Sequence, residues 1–137
     1  MDKETKDPVN EKYDVILSIH PKYAELIKSL KKRFEFRKRI FKRPIRNIYL
    51  YVTMPRRKIS GWFPYTGYHM GSIEEVWEWC KDYPGITKKE YLKYYFGQDS
   101  AYAIFINDYV PYPELVEPEI IFPNFTAPQS YCYIKEK

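Results

Sequence analysis

VILSIHPKYAELIKSLKKRFEFRKR, residues 15–39, changes its apolar period twice within one short run, and that change sets the expected architecture. With Tyr13 and Asp14 in front, the run YDVILSI is short, apolar and rich in strand formers, and it ends before Pro21; it reads as a strand leading into a turn. Pro21 suits the first position of a helix, where its missing N–H would have had no partner. From Pro21 to about Lys32 the apolar residues Tyr23, Ala24, Leu26, Ile27 and Leu30 recur three and four apart, the stripe of an amphipathic helix. Lys28, Lys31 and Lys32 fill its last turn, where positive charge complements the negative end of the helix dipole. FEFRKRIF, residues 34–41, then alternates. In a strand this sends Glu35, Arg37 and Arg39 to one face and Phe34, Phe36 and Lys38 to the other.

Outward from this stretch, NIYLYVTMP (47–55) reads as a strand closed by Pro55, and Arg56, Arg57 and Lys58 make the following turn. ISGWFPYTGYHMG (59–71) continues as a strand interrupted at Pro64 and Gly67. A helical pattern returns in SIEEVWEWCKDY (72–83), where Ser72 with Glu75 three residues on forms a capping box, and Ile73, Val76, Trp77 and Cys80 make the buried side. After the turn at Pro84 and Gly85, TKKEYLKYYFG (87–97) reads as a second short helix capped by Thr87 and stopped by Gly97. AYAIFINDYV (101–110) and SYCYIK (130–135) are late strands joined by a proline-punctuated stretch from Pro111 to Pro128. The order predicts an α+β fold with a closed or nearly closed sheet and helices packed at its ends.

A chain of 137 residues has room for one core. Residues 1–12, charged and without an apolar period, read as a mobile arm, and 13–137 as the folded domain. A hydrophobic fraction of 45% with 19% aromatic residues excludes wholesale disorder. Cys80 and Cys132 form no Cys-x-x-Cys pair, and His20 and His69 stand apart from them, so neither a zinc site nor a disulfide framework is signalled. Gly-rich phosphate loops, Gly-x-Ser-x-Gly elbows and His-Glu-x-x-His pairs are absent as well, and no cofactor is expected. No apolar run approaches the roughly 20 residues a bilayer requires, and the opening MDKETKDPVNEK lacks a signal-peptide core; the expected location is the cytoplasm. Charge is segregated along the chain. Residues 28–58 hold 13 basic residues and one acidic residue, Glu35, for +12, whereas the remainder holds 10 basic and 17 acidic, for −7. Such asymmetry points to a polyanionic partner, because clustered Lys and Arg release counterions on meeting phosphates.

Residues 15–39 also resemble the start of the ASCH family, whose members carry Ser-Ile-x-Pro-x-Tyr-Ala followed by Gly-x-Lys-x-x-Glu-x-Arg. Here those motif positions are Leu30, Lys32, Glu35 and Arg37, with leucine in place of the glycine. YVTMP (51–55) is similar to the family's strand ending in Thr-x-Pro, KISGWF (58–63) to its Ile-x-Gly segment, and PQSY (128–131) to its closing strand. The likeness runs over about residues 14–135. It implies a pseudouridine-synthase-and-archaeosine-transglycosylase (PUA)-like β-barrel of about five to seven strands, and a function in binding RNA or modified bases. Some small family members are nucleases, and one bacterial branch deacetylates acetylated cytidine.

The residues themselves give the same site a chemistry. Lys32 ends a helix, while Glu35 and Arg37 share a strand face, so the heads can meet at the corner between the two elements. A carboxylate between two cations stays ionised, and the cations retain capacity for phosphate. The expected ligand-binding set is Lys32, Glu35, Arg37, Arg39, Tyr51, Thr53, Arg56, Arg57, Lys58, Gln129 and Ser130. Tyrosines stack on bases, and a strand-borne glutamine amide reads a base edge. RNA or a nucleotide is the expected partner. A hydrolase using Lys32 and Glu35 on RNA or a modified nucleoside is one alternative, and a regulatory module docking a protein through exposed aromatics is another. No metal is required by the spacing.

Overall fold

A computed structural model describes residues 12–135, and the expected arm lies almost wholly outside them. The elements run β1 (Tyr13–Ile19), α1 (Pro21–Lys28), β2 (Phe34–Arg37), β3 (Ile45–Val52), β4 (Lys58–Pro64), β5 (Tyr68–Gly71), α2 (Ile73–Cys80), α3 (Lys88–Tyr94), β6 (Ala101–Phe105), β7 (Val110–Val116), α4 (Pro118–Ile121) and β8 (Tyr131–Lys135). A five-stranded sheet has the order β7-β4-β3-β1-β8, and a three-stranded sheet the order β2-β6-β5. The α+β class holds, with eight strands against the expected five to seven among the described residues, gathered in two sheets and not in one closed ring. The chain passes between sheets through turns. At one of them, after β6, Asp108 takes φ 57.

β1 and β3 are parallel, with Ile19 opposite Val52, which demands a crossover; α1 and β2 supply it. β1 is an interior strand whose side chains enter a core on each face, which explains the consecutive apolar residues Val15, Ile16 and Leu17. Val15, Leu17 and Ile19 join Ile48, Leu50, Val52 and Phe63 beneath Ala24 and Ile27 of α1. Ile16, Tyr51 and Ile59 face the other way and are roofed by Ile121, Phe122 and Phe125. A further core packs Val76, Trp77 and Cys80 of α2 and Tyr91 and Tyr95 against Phe36, Ala101 and Ala103 of the smaller sheet.

Three expectations change. The single strand expected over 59–71 divides into β4 and β5, which lie in different sheets; pairing with the β3 side runs through Pro64 to the Tyr65 amide on the Arg46 carbonyl, and the chain crosses over at Gly67, which takes φ 120. The strand expected over 101–110 stops at Phe105, and the proline-punctuated stretch begins as β7, with Pro111 and Pro113 inside it. β7 is an outer strand, where a missing N–H breaks no ladder. The first helix ends at Lys28, four residues short of its expected limit. There Leu30 takes φ 65, and the Lys31 and Lys32 amides both bond the Leu26 carbonyl, at 2.9 and 3.0 Å. This is the left-handed helix stop that normally uses glycine. Leucine therefore makes the turn despite its Cβ, at a penalty of about 1–2 kcal/mol. Since Leu30 is largely exposed, Leu30→Gly is expected to raise unfolding free energy by about 1 kcal/mol in chemical denaturation; a loss of stability would refute the assignment of strain.

Both later helices start as expected. Ser72 and Glu75 close a reciprocal capping box, and Thr87 does the same with Glu90. Among the described residues no helix is long and apolar enough to cross a membrane.

Candidate functional site

Where α1, the end of β1, β2 and α3 meet, a hollow of about 250 Å³ is walled by His20, Tyr23, Ile86, Glu90 and Tyr94 and bordered by Lys32, Glu35 and Arg37. The short connection from the Leu30 turn into β2 places Lys32 at its base. Lys32 is only 3% exposed. Its Nζ donates to the Pro84 carbonyl at 3.1 Å, stands 3.7 Å from Glu35 Oε1, and lies over the Tyr23 and Phe36 rings at 5.4 and 4.9 Å. Pro84 is held there by an isolated bridge to Lys32, followed by Gly85 at φ 75. Burial pulls the Lys32 pKa below the ordinary lysine value of 10.5; the Glu35 carboxylate pushes it back up, and the Arg37 charge lowers it further. The ammonium thus sheds its proton more readily than a surface lysine does.

Arg37 spreads its fork over several partners. Its Nε donates to Glu35 Oε2 at 3.1 Å and its Nη2 stands 2.9 Å from the same oxygen. Nη1 donates to Ser130 Oγ at 2.9 Å, and Nη2 also donates to the Ser18 carbonyl at 3.2 Å. Ser18 in turn reaches the last strand's approach, through Ser18 Oγ to the Pro128 carbonyl at 2.6 Å and its amide to the Ser130 carbonyl at 2.9 Å. On the other side of β2, the Tyr95 hydroxyl donates to the Arg37 carbonyl at 2.8 Å. The result is one buried carboxylate clamped by two cations; the hollow's other carboxylate, Glu90, is paired with Lys22 at 3.6 Å, so three cations face two carboxylates around it. Such a site can accept an anionic oxygen in place of the Ser18 or Ser130 oxygen now bonded to Arg37.

The expected residues are only partly gathered here. Lys32, Glu35 and Arg37 converge, and Ser130 reaches them through Arg37. Arg39 does not, because β2 stops at Arg37 and Arg39 lies exposed beyond it. Thr53 sits just past β3 with its amide bonded to the Ile19 carbonyl at 3.0 Å. Tyr51, 7% exposed, points to the opposite face of β3 and packs on Phe125 with ring centroids 4.9 Å apart; it is core. Arg56 borders another hollow, of about 270 Å³, with Lys28, Tyr109 and Tyr112. Arg57 occupies the β3–β4 turn at φ 57, and Lys58 pairs with Glu117 at 3.3 Å. Gln129 and Ser130 line a larger, mostly apolar hollow of about 1030 Å³ beside Phe122, Phe125 and Ile134.

Much of the basic stretch is engaged in tertiary contacts. Arg33 lies over the Tyr83 ring at 4.3 Å, Lys38 over Tyr94 at 4.8 Å, and Arg43 over Tyr13 and Tyr133 at 4.9 and 5.5 Å. Arg46 bonds Asp14 at 2.9 Å. Among the described residues, no group of three or more His, Cys, Asp and Glu side chains could hold a metal ion. Sequence reasoning did not find Ser18, His20, Tyr23, Ile86, Glu90, Tyr94 or the Pro84 carbonyl. The Pro-Gly turn at 84–85 was readable, but its landing 52 residues away on Lys32 has no local signature.

No family model matches the chain. In sequence, it is 33% identical over 91 residues to the large ribosomal subunit protein uL22 of Ureaplasma parvum serovar 3, an alignment covering 66% of this chain and 29% of that protein. The chain therefore spans less than a third of the length of that relative. It is 24% identical over 135 residues to the ASCH domain-containing ribonuclease of Zymomonas mobilis, covering 94% of this chain and 89% of that protein. In structure, it superposes on the crystal structure of ASCH from Zymomonas mobilis with a TM-score of 0.78 and 26% identity, over 88% of this chain and 87% of that one.

Proposed function

This chain belongs to the ASCH domain family, and we propose that it binds RNA or a nucleotide, seating an anionic oxygen in the hollow beside Lys32, Glu35 and Arg37. The observation that carries this reading is the convergence of the Lys32 and Arg37 heads on one buried carboxylate at the edge of an accessible cavity. Arg37 makes the direct contact, exchanging Ser130 or Ser18 oxygen for phosphate oxygen. Lys32 supplies charge from the base, and Glu35 fixes both. Tyr23 and Tyr94, which wall the same hollow, offer ring faces for an unstacked base. The +12 stretch around the motif raises the local concentration of a polyanion, and the name of the Zymomonas relative, a ribonuclease, supports RNA as the ligand class.

Anisotropy titrations of a short single-stranded RNA test this. Arg37→Gln and Lys32→Met are each expected to weaken binding at least about tenfold and to flatten the dependence on salt by roughly 0.7 in the logarithmic slope for each phosphate that is no longer neutralised. Unchanged affinity and slope in variants that keep native circular dichroism would refute the site. A hydrolase is the second reading, favoured by the same relative and by the lowered Lys32 pKa, which leaves an amine able to take up a proton. It requires RNA cleavage that disappears in Lys32→Met.

A further inference from the structure

β5 is an outer strand of the smaller sheet, paired on one side only, from Tyr68 opposite Ile104 to Gly71 opposite Ala101. Strand edges are normally blunted by proline, by charge or by a covering segment. β7, an outer strand of the larger sheet, follows that rule with Pro111 and Pro113. β5 does not: its residues are Tyr68, His69, Met70 and Gly71, without proline, lysine or carboxylate.

Beside this edge lies a shallow hollow of about 570 Å³, lined by His69, Met70, Glu74, Glu75, Glu78 and Trp79. Tyr68, Met70 and Trp79 are 41%, 53% and 58% exposed. The Trp79 indole is not loose. It stacks on the His69 ring with centroids 3.7 Å apart and planes 19° from parallel, so a flat apolar platform is already ordered and little side-chain freedom is lost when something lands on it. The charges around it are acidic. Glu78 is bonded to Lys81, just past α2, at 2.7 Å, and Glu75 Oε1 holds the Ser72 amide at 3.0 Å, so the exposed Glu74 is the carboxylate that faces an incoming cation. This region also falls in the part of the chain whose net charge is −7, apart from the cationic residues 28–58.

We propose that β5 accepts an extended, lysine- or arginine-bearing segment of a partner protein as an added strand, with an apolar side chain of that segment on Trp79 and Met70 and its cations against Glu74. Backbone pairing along an open edge supplies affinity, and the pockets beside it supply selection. RNA is the wrong occupant here, because the carboxylates repel phosphate. The inference is independent of the RNA reading.

The test titrates the full chain by calorimetry with a synthetic peptide of alternating lysine and valine, a counterpart of alternating glutamate and valine, and a single-stranded RNA. The lysine peptide is expected to bind and to slow amide exchange within Tyr68–Gly71. Trp79→Ala is expected to weaken it at least tenfold, and Glu74→Lys several-fold. Trp79 is exposed, so its truncation leaves the fold intact, and RNA binding at the Lys32 hollow is expected to survive it. Absence of peptide binding, equal binding of the glutamate peptide, indifference to Trp79→Ala, or displacement of the peptide by RNA would each overturn the proposal.

Discussion

Glu35→Gln is expected to lower the unfolding free energy by about 3–5 kcal/mol at neutral pH, because it leaves two largely buried cations facing each other without their shared carboxylate. Shape is nearly conserved in this exchange, so the loss reports charge. Chemical denaturation measures it, and the double variant Lys32→Met with Glu35→Gln is expected to recover much of the deficit, since the ammonium most deeply buried is then gone. The pH dependence has a definite sign. Folding holds the Lys32 pKa below its unfolded value of 10.5, so between the folded and unfolded values the unfolded chain binds more protons and stability rises with pH. Removing Glu35 takes away the influence that raises this pKa and widens that window. The deficit of Glu35→Gln is therefore expected to narrow as pH climbs towards about 10. A deficit that stays constant over that range would mean that Lys32 is not the charge left stranded.

Gly85→Ala is the second large effect, and Gly97→Ala is its control. Both glycines have positive φ, 75 and 81, so each alanine incurs the left-handed penalty of about 1–2 kcal/mol. They differ in what a Cβ would meet. At Gly97 there is nothing within 4 Å, whereas at Gly85 the new atom would overlap the Cβ, Cγ and Cδ of Lys32. Gly85→Ala must therefore displace the buried lysine stem or the Pro84 carbonyl bonded to its tip, and is expected to cost about 2 kcal/mol more than its control. It is also expected to weaken RNA binding, while Gly97→Ala does not. Equal losses of stability in the two variants would dissociate Gly85 from the geometry of the site.

The sequence carried the local structure where local chemistry decides it. Ser72 with Glu75, and Thr87 as a cap, announced two helix starts, and the run YDVILSI announced a strand with its observed limits. It was least informative where a partner far along the chain decides. Tyr51 reads as a ring available for stacking until the strap carrying Phe125 is known to lie over it. Arg39 continues the alternation of Glu35 and Arg37 on paper, but β6 offers partners only from Phe34 to Arg37, so the face they share ends there. Pro111 and Pro113 argue against a strand in general, and only the position of β7 at the rim of its sheet makes them tolerable. The motif core of the candidate site was legible because its three charged residues lie within six positions of one another; its walls were not, because α3 and the end of β1 come from elsewhere in the chain.

Strands β1 and β8 run antiparallel as neighbours, with Tyr13 opposite Lys135. A polypeptide entering the fold at one of these residues and departing at the other uses a single doorway, about one strand spacing wide. Grafting such a unit into a loop of a host protein, or threading it between two other modules, demands no stretching of either. The paired ends of β1 and β8 thus meet the geometric condition for being carried within a larger polypeptide.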